Sequence, residues 1–180
     1  MGAQLWCHEA PWHPDADATL KALQARFLAE NYDLPALLAQ HLAWARESVV
    51  AAQDDGDPYG VLDIYQEKVR LLERLCSHPI PDSPEAQIEI VRRINADSGE
   101  GIGNVLDVTG VSSQRDIQTA QRLSQQETAR LAGATQPTLA QANKAVGKIN
   151  KELGRGECVC FPFYEKGKPV GWYFVGNTID

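Results

Sequence analysis

The stretch that most constrains this chain runs from Ser124 to Leu153, SQQETARLAGATQPTLAQANKAVGKINKEL. Its residues predict a short helix, a tight turn and a longer helix. Ser124 is a good N-cap, and Glu127, three residues on, completes a capping box in which each side chain bonds the other's backbone N–H. The short helix runs from Gln125 to Ala132 and stops at Gly133, where glycine meets the positive φ of a turn without steric cost. Thr135 is placed to cap the second helix, with Pro137 in its first turn, where no N–H is needed. Leu139, Ala142, Val146, Ile149 and Leu153 form the apolar stripe of that helix. Opposite them, at about 100° per residue, fall Gln141, Lys144, Lys148 and Lys151.

After the second helix come two runs rich in β-branched and aromatic residues, Glu157 to Tyr164 and Val170 to Val175. The turn between them, EKGKP, sets Gly167 between Lys166 and Lys168. Pro162 inside the first run marks an edge position or a bulge.

Gln125, Ala129, Gly133, Ala134, Leu139 and Ala142 give the corner its spacing of small and apolar residues. That spacing resembles the helix-turn-helix of bacterial and phage DNA-binding regulators, and with the following hairpin it resembles a winged helix. A helical hairpin with Ala and Gly at a close crossing shows the same pattern, and here no Arg stands in the first turn of the second helix. The resemblance implies a recognition helix in the major groove and a basic wing on the backbone. Thr135, Gln136, Thr138 and Gln141 would then lie at the base edges, with Lys144, Lys148, Lys151, Lys166 and Lys168 on bases or phosphates.

The net charge of −7 alone argues against nucleic acid, but the charge is segregated. Residues 1–90 hold 6 Lys+Arg against 15 Asp+Glu, a net −9, whereas residues 91–180 hold 11 against 9, a net +2. Residues 111–175 hold 9 against 5, a net +4. Acid is thereby separated from the proposed binding module, and the modest basic excess predicts weak, salt-sensitive non-specific affinity.

The remaining chain reads as helical. Asp15 or Asp17 caps a helix over 18–30, and Pro35 opens a second one carrying Leu34, Leu37, Leu38, His41, Leu42, Ala45 and Val49 at helical spacing. The turn QDDGDP ends it; lacking twelve-residue spacing and a terminal Glu, it is a turn and not a calcium loop. A third helix, with Val61, Tyr65, Leu72 and Leu75, stops at His78-Pro79 and folds back on the second. Ile80 to Pro84 is the linker, and a helix over 85–96 follows. The glycines of 97–104 are preceded by no strand and followed by no Gly-Lys-Ser/Thr, so they make a turn and no phosphate loop. Residues 105–123 look faintly like another helix-turn-helix around Gly110, but serve better as a short segment and a helix over 114–123. Residues 1–14 show no period; Trp6 and Trp12 either serve in a partner-binding arm or, as expected here, pack on the helices, because two exposed tryptophans cost solubility.

The fold class expected is mainly α: an acidic N-terminal helical hairpin or bundle over 1–80, then a winged-helix-like module with a β-hairpin over 85–180. The function expected is sequence-specific binding to duplex DNA by a regulator of bacterial or phage type, with self-association through residues 34–75 into a homo-oligomer. A phage packaging subunit of the small-terminase kind and a winged helix that binds protein are the alternatives. Scattered histidines, the lack of a nucleophile–base motif and the lack of a cofactor fingerprint argue against an enzyme. Cys7, Cys76, Cys158 and Cys160 lack metal-ligand spacing and are expected in the core, so neither metal nor cofactor is expected. No apolar run reaches the roughly 20 residues of a membrane span, there is no secretory signal, and the cytoplasm is the expected location.

Overall fold

A computed structural model describes residues 4–95 and 102–178. Helix makes up about 51% of it, yet the layer that organises the molecule is a five-stranded mixed sheet. In chain order the elements are β1 (Leu5–Pro11), α1 (Ala16–Asn31), α2 (Leu34–Asp54), α3 (Leu62–Cys76) and α4 (Pro84–Asn95). There follow a 3-10 turn (Val105–Asp107), β2 (Gly110–Ser112), β3 (Thr119–Arg122), α5 (Gln125–Ala132), α6 (Leu139–Asn150), β4 (Cys158–Glu165) and β5 (Lys168–Asn177).

The strand order is β1-β5-β4-β3-β2. β5 pairs antiparallel with both β1 and β4, while β3 runs parallel to β4 and to β2. The β4–β5 hairpin is therefore the centre of the sheet, and both of its faces are covered. Cys158, Cys160, Trp172 and Phe174 meet Leu20 and Leu23 of α1 on one face. Val159, Phe161, Tyr173 and Val175 meet Leu131 of α5 and Ala142, Ala145 and Ile149 of α6 on the other. Alternation along each strand sends successive side chains to opposite layers, which is why the two strands read as nearly continuous apolar runs.

Several expectations are corrected here. The segment expected to pack on the helices without a period of its own instead holds a strand: residues 5–11 form β1, in seven-residue register with β5. Trp6 crosses the strand at Gly176, where an added Cβ would lie 2.2 Å from the indole. Trp12 stacks on Trp172 with ring centroids 5.4 Å apart. The helix expected over 114–123 is instead β3, because Gln118 takes a φ of +60° in mid-segment and Ala120 to Arg122 pair with Cys158 to Cys160. Within residues 1–80, β1 and α1 pack in the sheet layer. The hairpin is not a free two-stranded wing. β1 lies along its open side and β3 along the other, so only the tip projects.

The α2–α3 pair folds back as expected and is bridged by Arg46 and Glu73 at 2.7 Å. It joins α4 through Leu38, Ala45, Leu72 and Ile94. Cys158 and Cys160 are buried as expected, and burial pushes the Cys160 thiol up to about 12 and the Cys158 thiol well above its ordinary value. Cys7 and Cys76 are exposed, against expectation, on a sheet edge and at a helix end. The glycine turn expected over 97–104 lies outside the described residues for 97–101. No described helix is long and apolar enough to cross a membrane.

Candidate nucleic-acid interface

The corner is assembled from local signals. Ser124 and Glu127 make both bonds of their capping box, at 3.2 and 2.8 Å, and hydrogen bonds from Ser124 hold the Glu127 carboxyl below its ordinary range. Gly133 ends α5 with a φ of +80°. The second helix starts later than its sequence suggests. Thr138, not Thr135, is the cap, and Gln141 completes a second capping box. Thr135 and Gln136 sit exposed in the turn, and Pro137 is buried before the cap instead of within the helix. The Thr138–Gln141 box is itself a local start signal, and the Pro137 carbonyl accepts the Tyr164 N–H at 2.8 Å, which ties the turn to β4.

This shift changes what α6 presents. Its buried side is Ala142, Ala145 and Ile149. The face turned away from the sheet is centred on Ala140, Asn143, Lys144, Gly147 and Lys151, all exposed. Gln141 lies at the margin, half-buried, with its Oε1 accepting the Thr138 N–H at 2.8 Å. A bidentate pair with adenine needs both the oxygen and the amide N–H₂ of a glutamine, and the oxygen is committed to the cap. Lys148 is exposed, but its ammonium donates to the Arg130 carbonyl and closes the corner across the last turn of α5. Arg130 in turn grips Glu152 through two bonds of 2.5 and 2.7 Å. Hydrogen bonding between the two lowers the Glu152 carboxyl from its ordinary value and raises the Arg130 guanidinium.

Of the expected contact residues, Lys144 and Lys151 stand on the outward face and Thr138 is a cap. Asn143 and Gly147 were not among them, although a helical wheel begun at Thr138 places both outward. Asn143 Oδ1 accepts the Tyr173 hydroxyl at 2.6 Å, and burial pushes the Tyr173 phenol above its ordinary value. Gly147 is the unexpected residue. A Cβ built there would meet nothing within 4 Å, so packing does not call for a glycine in mid-helix.

The hairpin tip lies near the start of α6. Lys166 and Gly167 take φ values of +48° and +75°, the two positive values of a type I′ turn, between the paired Glu165 and Lys168. Lys166 and Lys168 are exposed, and the Tyr164–Pro137 bond holds the tip near the start of α6.

A cleft of about 740 Å³ lies elsewhere, where the carboxyl ends of β2 and β3 meet the N-termini of α1 and α5. Its acids are engaged locally: Asp15 caps α1, Asp17 accepts the Val111 N–H and pairs with Lys21, and Glu127 caps α5. Arg122 at its rim lies over the Trp172 ring, 5.1 Å from the centroid. Among the described residues no group of His, Cys, Asp and Glu is arranged to hold a metal ion. Comparison of the chain with protein-family models, curated proteins and solved structures finds no match.

Proposed function

We propose that this protein binds duplex DNA through the outward face of α6 and the tip of the β4–β5 hairpin, and that it serves as a regulator of bacterial or phage type. One observation carries the reading. The exposed face of α6 holds Lys144 and Lys151, no carboxylate, and two residues without bulk, Ala140 and Gly147. Lysines on a smooth helix suit a phosphate backbone, because small residues allow close approach and ammonium groups displace condensed counterions. Asn143, whose Oδ1 is held by the Tyr173 hydroxyl, keeps only its amide N–H₂ to donate, and Lys166 and Lys168 extend the contact from the tip.

The test is fluorescence anisotropy of a labelled duplex with full-length protein over a series of salt concentrations. Lys144→Ala with Lys151→Ala should weaken every duplex and reduce the slope of log K against log salt by about two, near 0.9 per lost phosphate contact. If wild-type protein at low salt binds no better than a neutral control protein, the corner is purely structural and the reading fails.

A further inference from the structure

The α2–α3 hairpin carries more exposed apolar surface and more unpaired charge than a helix pair packed on one core requires. α2 has 21 residues, about 31 Å at 1.5 Å per residue. Among the described residues, none between 46 and 66 enters the hydrophobic clusters, although Ala52 is buried within the pair itself, so the outer half of the pair extends past them. Trp44, Val50, Tyr59 and Ile64 are 47, 56, 86 and 55% exposed.

Two patches of opposite charge lie at the ends of this surface. At the tip, Asp54 closes α2 and Asp55 is its C-cap, both exposed, with no basic residue in the last turn. Negative charge there opposes the helix dipole, so these acids do not serve the helix that carries them. Toward the base, a groove of about 690 Å³ runs along α3 from Ile64 to Arg74 and is flanked by Arg93 of α4. Arg70, Arg74 and Arg93 are exposed, and among the described residues none of their side chains has an acidic partner.

We propose that two copies of this chain pack their α2–α3 hairpins antiparallel about a two-fold axis, the acidic tip of each seated in the arginine groove of the other. The spacing supports the arrangement. Along α3, Ile64 lies about 3 Å and Arg74 about 18 Å from the first helical residue, and the tip lies beyond that residue. The midpoint between tip and arginines therefore falls in the first half of α3, the half that carries Ile64. A two-fold axis there brings this exposed isoleucine toward its own copy and forms both charged contacts at once, as an isologous interface requires. An acidic peptide or a nucleic acid would satisfy the groove alone; a second copy also satisfies the tip and the apolar strip between.

The experiment is a charge exchange on the full-length chain, followed by sedimentation velocity at several concentrations, with circular dichroism melts as the check on folding. The first variant is Asp54→Lys with Asp55→Lys, which improves the charge at the end of α2 and should fold at least as well. The second is Arg70→Glu with Arg74→Glu. Each alone should raise the dimer dissociation constant by at least about tenfold, because like charges then face each other twice. Mixed, they should form a heterodimer whose dissociation constant is within about threefold of wild type, since both contacts are again of opposite sign. Raising salt should weaken the wild-type dimer. A wild-type monomer at about 100 µM overturns the proposal. So does a dimer indifferent to either exchange, or a failure of two folded variants to restore each other. None of these outcomes bears on DNA binding by α6.

Discussion

The Tyr164 amide donates to the Pro137 carbonyl over 2.8 Å, joining the end of β4 to the residue before the cap of α6. Through this bond the hairpin tip is held near the start of α6. Side chains of the two can therefore be tested as a set.

Lys166 and Lys168 are the exposed cations of the hairpin tip. Replacing both by Ala should weaken binding to all duplexes alike and flatten the salt slope by up to about two, without altering sequence preference. Anisotropy titrations at four salt concentrations measure this. An unchanged slope means that the tip stays in solvent.

Gly147 separates stability from binding. Gly147→Ala should raise stability by about 0.5–1 kcal/mol, because alanine loses less backbone entropy in a helix and its Cβ meets nothing. The same methyl should weaken DNA binding if a backbone phosphate approaches the helix there. Urea denaturation and anisotropy on one preparation give both numbers. A gain in stability with unaltered affinity would move the contact away from Gly147.

Thr138 and Gln141 act first on the fold. Thr138→Ala should cost about 1 kcal/mol, within the range for lost N-caps. Gln141→Ala should cost somewhat less, because it removes the returning half of the box. Its effect on DNA should then be an even loss across sequences. A change of preference at a single base pair would show that Gln141 leaves the cap to read an edge.

The cysteines predict both a reactivity and a pH dependence. Ellman's reagent should modify Cys7 and Cys76 quickly in the native protein, and all four cysteines only after unfolding. Burial raises both the Cys158 and the Cys160 thiol, so the folded chain keeps protons that the unfolded chain releases. Stability from this source is complete below the ordinary thiol value near 9. It falls as pH rises from there toward about 12. Urea midpoints compared on either side of pH 9 should decline in wild type, and less steeply in Cys158→Ala with Cys160→Ala.

What the sequence determined by itself is local in origin. The capping box of Ser124 and Glu127, the left-handed Gly133, the start of α1 at Asp15 and the turn at Gly167 depend on residues a few positions apart. Helical spacing likewise identified α2, α3 and α4, because an amphipathic stripe repeats within a single element. Tertiary structure decided what depends on partners far along the chain. β1 is a strand because β5, more than 160 residues later, supplies its ladder: Leu5 pairs with Asn177. β3 lies in a stretch that reads as a helix over 114–123, but pairing with β4 overrides that preference. The choice of Thr138 over Thr135 as cap has a local part, the second capping box with Gln141, while the Pro137 carbonyl held by Tyr164 ties that corner to β4. The central position of the β4–β5 hairpin depends on distant partners. Its apolar residues alternate between two faces, and only the folding of α1 from one side and α5–α6 from the other could show that both are buried.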